Sequence, residues 1–153
     1  MPPASSLPPL TTTGDLPEGV HGATLREVLS HFGQGLRRRR AVGRRLERIY
    51  GVARATGHVA RFIVFGSFVT SKSEPNDVDA FILMEDTFDA GQLGGEARLL
   101  FDHGTAQAHF GASVFWLRRL AAMGGEDDAI EHWQIKRDGT RRGIVEILES
   151  EGP

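Results

Sequence analysis

Two carboxylates, Asp77 and Asp79, and a small polar pair, Gly66-Ser67, are the residues whose types and spacing point most directly to chemistry. The aspartates flank Val78 and lead into the apolar run Ala80-Phe81-Ile82-Leu83-Met84, which suits a buried strand. Alternation along a strand sends Asp77 and Asp79 to one side and Val78 into the core. Like charges held together raise one another's pKa, so a fold that keeps both usually places a cation between them. Carboxylate oxygens are hard ligands suited to Mg²⁺ or Mn²⁺, and Mg²⁺ typically uses one or two carboxylates together with substrate phosphates. Gly66-Ser67 ends a second apolar run, Phe62-Ile63-Val64-Phe65. With so little side chain there, backbone and a hydroxyl can come close to a phosphate. Lys72 and Ser71 lie in the loop between the runs, where they either add charge and a donor near the phosphates or are simply solvated. Asp-x-Asp alone is more often a polar strand edge, and Gly-Ser alone says less. Their combination with two buried strands predicts a metal-nucleotide site.

The order of these parts, with nine residues between Ser67 and Asp77, resembles the minimal nucleotidyltransferases of the DNA polymerase beta superfamily. The resemblance implies an α+β, nucleotidyltransferase-like fold, a small mixed sheet flanked by helices. It also implies that Gly66 and Ser67, with Lys72 nearby, hold a nucleoside triphosphate. Asp77 and Asp79 would bind Mg²⁺ or Mn²⁺ and carry catalysis, and a nucleoside monophosphate would pass to an acceptor. Many members place a third carboxylate on a later strand, where it holds a second ion and helps activate the attacking hydroxyl. The strand expected at 112–117 has Ser113 instead. A second expectation therefore stands beside the first, a nucleotide- or partner-binding module of the same fold with impaired catalysis. Glu146 is a substitute acid only if the sheet order brings it beside Asp77 and Asp79. The Leu-Pro-x-Gly-Val-His opening, Gly-Ser-Phe-Val-Thr, Pro-Asn-Asp-Val-Asp and the final Gln-x-x-Arg-Asp-Gly-x-x-x-Gly-Ile extend the resemblance over 16–149. They look like an uncharacterised bacterial branch whose stand-alone relatives are often linked to toxin-antitoxin systems. That implies a protein or RNA acceptor and a cognate toxin or antitoxin as partner.

The elements that must position these residues follow from the rest of the chain. Its 153 residues suit a single domain at 20–150, preceded by a Pro-rich, Ser/Thr-rich arm at 1–19 that reads as flexible. Thr24 and Glu27 form a capping box for a first helix, whose Leu25, Val28, Leu29 and Phe32 make an apolar stripe ended by Gly33 and Gly35. A second helix at 36–55 faces Val42, Leu46, Ile49, Tyr50 and Ala53 inward. Its run Arg37-Arg38-Arg39-Arg40 with Arg44 and Arg45 reads as a solvated face, or as a contact for phosphates or RNA. The stretch 88–103 reads as a helix weakened by Gly91, Gly94 and Gly95, with His103 and His109 bracketing a polar link. Asp138-Gly139 predicts a closing C-terminal hairpin that pairs 133–137 with 143–148. A net charge of -2 argues neither for nor against nucleic acid, and the lack of cysteine excludes disulfides and thiolate chemistry. Without a long apolar run or a basic-then-apolar start, the expectation is a cytoplasmic protein with no membrane contact.

Overall fold

The two apolar runs are neighbouring strands inside a mixed five-stranded sheet. The computed structural model describes residues 7–149. Its elements are β1 Val20–Thr24, α1 Leu25–Phe32, α2 Arg37–Ala55, β2 Val59–Phe65, β3 Val78–Met84, α3 Gly95–Leu100, α4 His103–Phe110, β4 Ala112–Arg118, α5 Glu126–Glu131 and β5 Ile144–Leu148. The strand order is β1-β5-β2-β3-β4. β1 lies parallel to β5 and β3 parallel to β4, while β2 runs antiparallel to both of its neighbours. The architecture is thus α+β.

Alternation divides the sheet's side chains between two faces. Phe62 and Val64 of β2, Ala80 and Ile82 of β3, Val114 of β4 and Val145 of β5 share the main core with residues of α1 to α4. Ile63, Phe81, Leu83 and Ile144 point the other way and share a smaller core with Ile130 of α5. Val42, Leu46, Ile49 and Ala53 of α2 are all buried at helical spacing, as the sequence predicts. α1 starts on the expected reciprocal cap: Thr24 Oγ1 accepts from the Glu27 N–H, and Glu27 Oε1 accepts from the Thr24 N–H. Among the described residues no helix is long and apolar enough to cross a membrane.

Several local expectations change. The stretch 88–103 is not one helix but a 3₁₀ turn Ala90–Gln92 followed by α3, because the glycines interrupt it and Gly94 becomes the cap of α3. His103 and His109 lie on α4, which Asp102 caps through the Thr105 N–H. The closing hairpin shrinks to a turn: Gly139 adopts φ +86°, and Ile135 bridges Arg141. Trp133 sits in a 3₁₀ turn His132–Gln134, and β5 enters the sheet between β1 and β2. There, Val145 and Ile147 bury against the helices and the backbone finds partners on both sides, which a two-stranded hairpin does not offer. The Leu-Pro-x-Gly-Val-His opening leads into strand β1, which ends at the Thr24 cap of α1.

Of the expected flexible arm, residues 1–6 lie outside the described residues, as does residue 150 at the expected domain end. Residues 7–19 are packed on the domain. Leu7 and Leu16 are buried in the main core. The Gly14 and Leu16 carbonyls accept from the N–H groups of Ser71 and Gly143, and Lys136 Nζ donates to Asp15 Oδ2 at 2.6 Å. Two leucines set among the prolines, together with these polar contacts, anchor the segment.

Candidate functional site

β2 ends at Phe65, which pairs with Asp79 of β3, so the chain turns at Gly66 directly against the Asp79 side chain. Gly66 adopts φ +82°, and a Cβ there would lie 2.0 Å from Asp79 Oδ2. Only glycine meets both demands. Ser67 opens the 3₁₀ turn Ser67–Val69 immediately afterwards. Asp77 immediately precedes β3 and Asp79 is its second residue, both half-buried. On the far side of β3, Ser113 of β4 is in register with Asp79. Its Oγ lies 3.3 Å from Asp77 Oδ2 and 3.0 Å from Gln107 Oε1 of α4. One hydroxyl proton therefore faces two acceptors, one of them a carboxylate, and can satisfy only one at a time.

Burial pushes the Asp79 carboxyl up from its ordinary value of 3.8 to about 6, and the neighbouring Asp77 charge adds to the effect. The Arg142 and Arg137 guanidiniums and the Ser113 hydrogen bond pull the other way without cancelling it. Among the described residues neither aspartate makes an ion pair; Arg142 instead approaches Asp15, at 3.9 Å. Arg142 Nε and Trp133 Nε1 are buried side-chain donors without a hydrogen-bond partner. A half-buried carboxylate pair without a direct ion partner, one member of it with a raised pKa, is a candidate functional site.

The structure thus brings Gly66, Ser67, Asp77, Asp79 and Ser113 together. Glu146 is not among them, because β5 lies on the other side of β2, and Glu146 is bound to Arg61. Lys72 is exposed and is held through its carbonyl by Arg39 Nη2, at 2.5 Å; no contact joins its ammonium to the acids among the described residues. Of the basic run, Arg37, Arg38, Arg40 and Arg44 are exposed, whereas Arg39 and Arg45 are half-buried. Arg39 also donates to the carbonyls of Phe32, Phe68 and Thr70, and Arg45 to that of Asn76. Two arginines of α2 therefore tie down both ends of the loop between the Gly-Ser turn and Asp77.

Sequence reasoning missed Gln107, Arg137 and Arg142. The first sits on an unpredicted helix. The two arginines belong to the Arg-Asp-Gly-Thr-Arg-Arg run, where the turn residues drew attention away from the charges beside them.

As a cation site the donor set is small. Among the described residues no group of three or more His, Asp or Glu side chains is placed to hold a metal. Two carboxylates with lone pairs to spare suit one Mg²⁺ or Mn²⁺ that completes its shell with phosphate and water. They do not make the two-ion arrangement that a third acid would support. The molecule is thus an α+β domain with a paired-carboxylate site at the mouth of a glycine turn. Residues 8–148 match the family described as a family of unknown function (DUF6932), and the chain belongs to that family. No curated protein and no solved structure matches the chain.

Proposed function

We propose that the chain has a nucleotidyltransferase-like fold and transfers a nucleoside monophosphate from a nucleoside triphosphate to a protein or RNA acceptor. The observation that carries this reading is the packing of Asp79 against Gly66, with Asp77 beside it and no ion partner for either acid among the described residues. Gly66 lets the turn pack directly against the Asp79 carboxylate, where any side chain would clash, and Ser67 supplies a hydroxyl at the start of that turn. Asp77 and Asp79 would hold one Mg²⁺ or Mn²⁺, which when bound supplies positive charge to offset that of the phosphates. Arg142 and Arg137 add two more positive charges on the Asp79 side. An acceptor hydroxyl forms the new bond to the α-phosphorus, the bond from that phosphorus to the bridging oxygen breaks, and pyrophosphate leaves. With no third acid at hand, the hydroxyl proton passes to water.

Ser113 favours a second reading. It occupies the position opposite Asp79, where an acid would support transfer; on this reading the chain binds nucleotide as a partner-recognition module with little or no turnover. A toxin or antitoxin is the partner class that the sequence resemblance implies for such a module. One experiment separates the readings: incubation with Mg²⁺, labelled nucleoside triphosphates and cell extract, beside a binding titration. Labelled protein or RNA that disappears with Asp77→Ala plus Asp79→Ala supports transfer. Binding without label supports the module. No binding at all overturns both.

A further inference from the structure

We propose that the aromatic cleft one pleat beyond the acid pair seats the base of the nucleotide whose phosphates lie at Gly66, Ser67, Asp77 and Asp79. This rests on the nucleotide reading above and adds the part of the substrate that is recognised by its ring. β3 and β4 run parallel and in register, so Asp79 and Ser113 are followed two residues on, and on the same face, by Phe81 and Phe115. That step is about 6.6 Å along the strands, a span that the sugar of a nucleotide bridges between its α-phosphate and its base. Trp133 reaches the same place from its 3₁₀ turn, with its ring centroid 5.0 Å from Phe115 and 5.3 Å from Phe81. His103 of α4 stands 4.9 Å from Phe115.

These rings, with Leu117, line a cleft of about 380 Å³, within the roughly 300–1,000 Å³ usual for small-ligand sites. Phe115 is 37% exposed in spite of its aromatic neighbours. A large ring left open at the margin of a buried aromatic cluster offers a face for one more ring. Stacking is tolerant because every base has a π-face, so the cleft holds purines and pyrimidines with modest preference among them.

The test is calorimetric titration of the full chain in Mg²⁺ with ATP, CTP and inorganic tripolyphosphate. Phe115→Ala is expected to weaken both nucleotides roughly tenfold and to leave tripolyphosphate binding as it was, with Phe115→Tyr restoring the nucleotides. His103→Ala, a change at an exposed helical residue, is expected to produce a smaller loss with the same selectivity and keeps the test intact if Phe115→Ala folds poorly. The inference is overturned if folded Phe115→Ala and His103→Ala bind ATP as the wild type does, or lose tripolyphosphate equally. If tripolyphosphate binding depends on Asp79 while these variants change nothing for ATP, only the base cleft is wrong. If the wild type binds none of the three ligands, the nucleotide reading of the acid pair is wrong and the cleft assignment goes with it.

Discussion

Two charged clusters share the second face of the sheet, and they are built in opposite ways. At one, Arg61 of β2 donates through Nη2 and Nε to Glu146 of β5 at 2.6 and 3.0 Å, and through Nη1 to Asp127 at 3.0 Å. Every formal charge at its centre has a partner, and those hydrogen bonds drive the Arg61 pKa further up. At the other, Asp77 and Asp79 stand together with a serine and a glutamine, and the Asp79 carboxyl is held near 6. The first cluster joins α5 to the sheet. The second keeps charge in reserve against the stability of the free protein, as sites that await a cation or a substrate do.

Removing a partner from the satisfied cluster gives the largest expected effect. Arg61→Ala strands Glu146, whose side chain is only 19% exposed, and is expected to lower stability by about 3 kcal/mol, or about 8 °C in Tm. Asp79→Asn has the opposite sign. The folded-state pKa of about 6 lies above the ordinary 3.8, so the folded state binds the proton more tightly, and stability falls as pH rises between those values. Above pH 6 the charged carboxylate costs at most about 3 kcal/mol, which solvent reaching the half-buried side chain screens to about 2 kcal/mol. Asparagine abolishes that penalty, so Asp79→Asn is expected to raise Tm by about 5 °C at pH 7.5 and to leave it unchanged at pH 3, below both values. Mg²⁺ should raise the Tm of the wild type and not that of the variant. If thermal melts show Asp79→Asn to be destabilised at pH 7.5, the contrast between the clusters is false.

The same contrast runs through the basic helix. Arg39→Ala frees the carbonyls of Phe32, Phe68, Thr70 and Lys72 and is expected to cost about 1.5 kcal/mol in urea unfolding. Arg40→Ala, at an exposed neighbour, should stay within about 0.5 kcal/mol. Equal losses would mean that burial does not distinguish these arginines.

What the sequence made legible was whatever local rules control. The Thr24-Glu27 cap, the apolar stripe of α2 and strands β2, β3 and β4 all follow from spacing alone. So does the approach of Asp79 to the Gly66 turn, because two adjacent strands joined by a loop bring their facing ends together. Elements stabilised by distant partners were not legible. β1 is a five-residue edge strand with a glycine at its middle, and only its pairing with β5 identifies it. α4 carries the polar run His-Gly-Thr-Ala-Gln-Ala-His-Phe and buries only Ala106 and Phe110. The turn residues of the expected hairpin were read correctly, but the destination of β5 depends on a slot between β1 and β2 that no local pattern describes. Arg137 and Arg142 come close enough to act on the Asp79 charge for the same reason.

Ser113 carries the smallest and most pointed effect. Its hydroxyl donates to Asp77 Oδ2, and it favours the charged form of Asp79. Ser113→Ala removes that donor, pushes the Asp79 carboxyl higher still, and so should destabilise the protein by under about 1 kcal/mol at pH 7.5, or about 2 °C, with no change at pH 3. The sign is opposite to that of Asp79→Asn although both changes act on one polar cluster, because one removes the burdened charge and the other removes its relief. Ser113→Asp carries the contrast further. A third carboxylate in register with Asp79 adds like charge, so Tm in the absence of metal should fall below that of Ser113→Ala, and Mg²⁺ should recover more of it than in the wild type. A Ser113→Asp protein as stable as the wild type without metal, and indifferent to Mg²⁺, would mean that the arginines near Asp79 already neutralise the pair and that no divalent ion belongs there.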